Sequence, residues 1–416
     1  MDVQRFAVCG VIFCLTVSCA EKNSKTLPHV KTEVKSDSDA WLEEGYRYLE
    51  DPRFRRQALE DSLVNPENGY SRTRLKRYTE QKWGALPVWT PRVRKITPAD
   101  IGAGYPRPDF SFEAIDANEP MDNDGWMRLG EQMFTLYPAQ IEPAMRVALT
   151  DPRAPSIFGL WQTDDWVGGL VWVELPDGVQ PALTCATCHA SVSASGEVIS
   201  GLPNYDFNLG SAIDAHQRKR TRNSDWGPGR IDITGDGIFN PTVIADIRPV
   251  RFQSHLQRAA TIKNTLSALA IRLETNIISI TGGAVRPPRE SILALALYLW
   301  RLGDTLPPPP SHHAGQAVFD TQCASCHTPP GFGGSPIPIE DVGTPNAVGI
   351  SPYRTTGMYQ TPSLRGVSNR RQLTASGAFS SLKALLAESR TTPGHPYHRT
   401  LSQSERTLLL DFLNEL

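Results

Sequence analysis

Apolar residues recur at helical spacing in three stretches of the chain. From Glu290 to Leu302 they fall at Ile292, Leu293, Leu295, Ala296, Leu299 and Trp300, with Pro288 before the run and Gly303 as its stop. From Ser402, a capping box with Glu405 opens a run in which Leu408, Leu409, Phe412, Leu413 and Leu416 share one face. His313 to Gln322, with Val318 and Phe319 apolar, predicts a shorter helix that leads straight into Cys323. Between the first and the other two lies Leu306-Pro307-Pro308-Pro309-Pro310-Ser311, a stiff linker that neither helix nor sheet can contain. At the start, the apolar run Phe6 to Val17 follows a short polar segment with Arg5 and ends in small residues, the pattern of an export signal. It is shorter than the ~20 residues of a membrane span, and no later segment is apolar enough to be one.

This pattern divides the chain into a signal at 1–19, a polar, lysine-rich tether at 20–40 and an extension of helices and loops at 41–124. A first domain follows at 125–305, then the linker at 306–311 and a second domain at 312–416. Leu15-Thr16-Val17-Ser18-Cys19 resembles a bacterial lipobox, which would lipidate Cys19 and tether the chain to a membrane. Ser18-Cys19-Ala20 reads equally as an ordinary cleavage site. Either way the expected location is the periplasm, with an outer-membrane lipid anchor in the first case.

Composition removes one class of function. A net charge of −2 over 416 residues offers no basic face for nucleic acid. Of the seven cysteines, three lie in the leader and four in two pentads, Cys185-Ala186-Thr187-Cys188-His189 and Cys323-Ala324-Ser325-Cys326-His327, so none is left for a structural disulfide. Cys-x-x-Cys-His supplies the two thiols that add to the vinyl groups of haem and the histidine that binds its iron. A structural zinc site needs knuckles a few tens of residues apart and leaves both histidines without a purpose. A thioredoxin-like pair needs one motif between strand and helix, whereas Cys185 follows a proline-containing loop. The pentads therefore predict two covalently attached haem c groups, with His189 and His327 as proximal ligands. A first and a last helix crossing beside each haem predicts a mainly α fold of two tandem cytochrome c domains, the N-terminal one enlarged by insertions.

The sixth ligand decides whether each iron carries electrons or meets a substrate. For the second haem the candidates are Met358, the only methionine after the pentad, and His395 in Pro393-Gly394-His395-Pro396, with His398 behind them. For the first they are His255 and His216, and an open position is the remaining alternative. Asp232 to Asn240 places oxygen side chains at alternate positions and a glycine at the turn, the start of a Ca2+ loop. The acidic residue expected at its end is replaced by Val243, and an Asx-rich turn is the plain alternative.

Gly357-Met358-Tyr359-Gln360-Thr361-Pro362-Ser363-Leu364-Arg365-Gly366-Val367 resembles a signature of the bacterial di-haem cytochrome c peroxidase superfamily, in which such a run follows the second haem. Leu129-Gly130-Glu131-Gln132-Met133-Phe134 is similar to the helix that opens the first haem domain there, and Trp226-Gly227-Pro228-Gly229-Arg230 resembles the rubber-oxygenase branch. The resemblance spans about residues 125–416. It implies electrons entering at the C-terminal haem from a small cytochrome or cupredoxin and reduction of hydrogen peroxide at the N-terminal one. It also implies Ca2+ between the domains. A pure electron carrier and oxygenase-like chemistry are the alternatives. The chain departs from the pattern at Leu373-Thr374-Ala375-Ser376-Gly377, where Ala375 replaces the usual histidine, so peroxidase activity does not carry over directly.

Overall fold

The structure is a computed structural model that describes residues 40–416 except 80–81, 107–110, 116–121, 233–236, 346 and 396–400. The leader, the Cys19 lipobox, almost all of the tether, His398 and the middle of the candidate Ca2+ loop lie outside the described residues.

Asp122 caps the helix Asn123–Thr135 by accepting from the Gly125 amide. Its buried face of Trp126, Leu129, Gly130, Met133 and Phe134 lies against the helix Arg289–Arg301, whose Ile292 to Leu297 are all buried. Gly130 makes the crossing close: a Cβ there would sit 2.3 Å from the Ala294 carbonyl oxygen and 2.5 Å from Tyr298 Cβ. One turn on, the Phe134 and Tyr298 rings meet at 5.6 Å. The C-terminal part repeats the device. Gly315, ahead of the helix Gln316–Gln322, would place a Cβ 2.0 Å from the Leu408 carbonyl oxygen and 2.8 Å from Phe412 Cβ. Phe319, four residues on, meets Phe412 at 5.2 Å. The Ser402 capping box opens the closing helix, Gln403–Glu415, as the sequence predicts.

What separates the two crossings is sheet. Five antiparallel strands lie in the order Glu113–Ala114, Arg92–Lys95, Leu170–Leu175, Gly178–Leu183 and Gln140–Ile141. The central strand is buried on both faces: Val171 and Val173 join the helical core, while Leu170 and Trp172 join a second core with Met145, Leu149 and Phe207. With two-stranded ribbons elsewhere, the fold is 41% helix and 15% strand. The mainly α expectation is therefore wrong. Its error has a physical source, because a strand buried on both sides reads as a short continuous apolar run with no alternation to mark it. This sheet lies ahead of the first pentad in the chain, not in the stretch after it, and Arg92–Lys95 brings the N-terminal extension into it.

Three helices, Ala40–Glu50, Pro52–Ser62 and Gly69–Thr79, fill the extension, and the buried Glu274 of the helix Leu266–Ile280 takes the Tyr48 hydroxyl at 3.1 Å. Trp41–Leu416 forms one contact unit. The proline linker does not hold its two parts apart: the Gln360 amide donates to the Arg258 carbonyl, and the Val243 amide to that of Ala375.

Candidate haem sites

The first pentad is a single helical turn, Cys185–His189, capped by Thr184. Thr184 and Thr187 hydroxyls both donate to the Gly169 carbonyl, at 2.8 and 2.9 Å. Gly169 is at positive φ, and a Cβ there would strike the Thr187 nitrogen at 2.5 Å, so only glycine lets that loop lie under the turn. The turn's last carbonyls are taken by the Asn204 amide on Cys188 and the Gly201 amide on His189. His189 Nδ1 stands 2.9 Å from the Ala245 carbonyl oxygen. A carbonyl only accepts, so Nδ1 carries the proton and Nε2 keeps the lone pair that binds a metal.

The second pentad begins as the helix Gln316–Gln322 ends, and the His327 amide donates back to the Cys323 carbonyl at 2.9 Å. His327 Nδ1 is 3.2 Å from the Phe332 carbonyl oxygen, the same tautomer-setting contact. The run identified by resemblance holds this loop: the Leu364 amide donates to the same Phe332 carbonyl, and Ser363 to that of Gly331. Thr361 and Pro362 line a mainly apolar cavity together with Cys323, Cys326, Ile337, Val342 and Tyr359.

Burial sets the ionisation of both sites. It lowers the His189 pKa and brings that of His327 down to about 4, keeping the imidazoles neutral as iron ligands must be. It pushes the Cys185 and Cys188 thiols up to about 12 and Cys323 to about 11. Zinc sites and redox thiols need the opposite shift, toward thiolate. Among the described residues, no group of three or more His, Cys, Asp or Glu side chains converges as a metal site. At the second pentad, thiols beside an apolar cavity that His327 also lines fit haem c.

Across the cavity from His327 stands His395, with ring centres 6.4 Å apart and planes at 42°. Both imidazoles line this one cavity, so His395 could serve a haem held there by His327. His395 is held at positive φ by its amide on the Val342 carbonyl and by Arg390 on its own carbonyl. Met358 begins the strand Met358–Thr361, half-buried, and is not among the residues lining this cavity. His255 bonds Ser254 and gives its carbonyl to Gln360 of the C-terminal part, while His216 stands exposed on the helix Leu209–Gln217. The structure thus joins His395 to His327 and brings neither His255 nor His216 into a described contact with His189. Ala375 caps the Val243 amide, and the Pro228 carbonyl accepts from Gln372, so these two segments dock against each other.

The carbonyls of Ala245 and Phe332, and a buried cluster of Asp246, Arg248 and Arg370 between the sites, had no sequence signal. A carbonyl is carried by every residue, and isolated charges give no motif. The paired Gly168-Gly169 was the one available clue, as such pairs mark close backbone approach.

Residues 313–416 match the family model of cytochrome c. No curated protein matches the chain, and no solved structure does. The chain therefore carries a cytochrome c domain with covalently bound haem c and is an electron-transfer protein. The match takes in one such domain, so the expectation of two tandem cytochrome c domains is corrected. It is a match to cytochrome c, not to the di-haem peroxidases.

Proposed function

We propose that the chain is a two-haem electron-transfer protein in which the C-terminal haem is closed by two histidines and passes electrons to an N-terminal haem whose sixth position is open. The observation that carries this reading is His395 facing His327 across the cavity at 6.4 Å. Haem supplies one-electron exchange at iron, with the axial ligands setting its potential. His189 and His327 hold the proximal faces through Nε2, oriented by the Ala245 and Phe332 carbonyls, and Cys185, Cys188, Cys323 and Cys326 anchor the macrocycles. With His327 and His395 both available to hold a haem there, the second site would carry electrons rather than bind a substrate.

At the first site, the described placements of His255 and His216 support an open iron suited to a small oxidant. Hydrogen peroxide is the proposed substrate: two electrons and two protons convert it to two waters. The electrons would come from a small cytochrome or cupredoxin in the periplasm, where the leader would direct the chain, with Cys19 as lipid tether. No helix among the described residues is long and apolar enough to cross a membrane. Two haems per chain, with peroxide oxidising the half-reduced protein, is the expected result. An unreactive protein with both irons six-coordinate would make it a pure electron carrier.

A further inference from the structure

We infer that the buried Asp246–Arg370 ion pair, standing between the two proximal histidines, biases a shared electron toward the C-terminal haem and away from the N-terminal one. This rests on the two-haem reading. The pair belongs to a continuous set of contacts that links the imidazoles. His189 Nδ1 donates to the Ala245 carbonyl at 2.9 Å, and the next residue is Asp246. Asp246 Oδ2 accepts from Arg370 Nε at 3.4 Å, and Arg370 Nη2 donates to the Arg365 carbonyl at 3.0 Å. The residue before Arg365 is Leu364, whose amide donates to the Phe332 carbonyl at 2.9 Å, the same oxygen that accepts from His327 Nδ1 at 3.2 Å. Each step is a hydrogen bond, a step between adjacent residues or a passage through the Asp246 or Arg370 side chain.

The link is polar in one sense. Its carboxylate lies on the His189 side and its guanidinium on the His327 side: Asp246 is the charge acting on His189, and Arg370 the charge acting on His327. Both side chains are withdrawn from solvent, Asp246 at 1% and Arg370 at 11% exposure, so the two charges are weakly screened. Arg248 fixes the carboxylate from the other side through Nε at 3.0 Å and Nη2 at 2.8 Å, and Arg258 and Tyr205 complete the cluster around Arg370. A carboxylate favours the oxidised, more positive iron, and a guanidinium the reduced one. One electron leaving the C-terminal haem oxidises it by one unit and reduces the N-terminal haem by one. The Asp246–Arg370 polarity raises the potential of the donor and lowers that of the acceptor, so it holds the electron at the entry haem until the open iron draws it away. The bias is thus a gate against premature reduction of the open site: the pair retains the electron at the C-terminal haem when no oxidant is bound.

The test is redox titration of the holoprotein followed by its two haem spectra. Asp246→Asn should raise the N-terminal potential and Arg370→Gln should lower the C-terminal one. Each change narrows the gap, shifting the one-electron distribution between the haems about tenfold, ~59 mV for a one-electron couple. Arg370→Lys keeps the charge and should keep most of the gap. A gap unchanged in folded Arg370→Gln, or closed as fully by Arg370→Lys, overturns the inference. Should Asp246→Asn fail to fold, the Arg370 variants decide, because Arg248 still holds Asp246 in them. Haem content separates the two claims: one haem per chain refutes the two-haem reading and this inference together, whereas two haems with immovable potentials refute the inference alone.

Discussion

The two pentads are alike on the side that faces the protein and unlike on the side that faces the cavity. In each, a Cys-x-x-Cys-His turn delivers the histidine Nδ1 to a backbone carbonyl, Ala245 for His189 and Phe332 for His327. Opposite His327 stands His395, while the histidines proposed for the first site lie elsewhere. The proximal half of such a site is thus set by five consecutive residues and one acceptor. The distal half depends on which distant loop the fold folds over it.

The largest effect expected is on covalent haem. Replacing Cys185 and Cys188 by Ala, or Cys323 and Cys326 by Ala, should halve the haem retained after denaturation, measured by haem-stained gel and pyridine haemochrome; full retention in either variant would remove that pentad as an anchor. Next, His395→Ala should turn the second haem from low-spin to high-spin while Met358→Ala leaves its spectrum intact. The reverse outcome would hand the site to Met358. Smaller effects test whether the two helix crossings are equivalent. Gly130→Val and Gly315→Val force a side chain onto the facing helix at backbone distance, and each should lose at least about 1–3 kcal/mol in urea unfolding. Tolerance of either would mean that its crossing can open. The smallest are the caps: Asp122→Ala and Ser402→Ala should each cost about 1 kcal/mol by the same measurement, and no loss would show that the helix ends are held by packing alone.

These comparisons mark what the sequence made legible. The pentads, the closing helices at Arg289–Arg301 and Gln403–Glu415 and the glycine stop near 303 were readable because each is a local pattern of spacing or capping. The sheet was not, since Leu170–Leu175 is apolar on both faces and its partners lie as far away as Arg92–Lys95. His395 was a candidate behind Met358, which has the commoner ligand chemistry for a cytochrome c loop. Which of them reaches the cavity depends on the path of the chain from Val342 to His395, and no short-range pattern encodes it. The Asp246–Arg370 pair was invisible for the same reason: its two members are 124 positions apart.

Low-temperature electron paramagnetic resonance of the oxidised holoprotein tests the central claim most directly, because it reports both irons at once. The account predicts one low-spin signal of bis-imidazole type, from the haem between His327 and His395, and one high-spin signal from the haem on His189. Two low-spin signals, or no low-spin signal of bis-imidazole type, would contradict it.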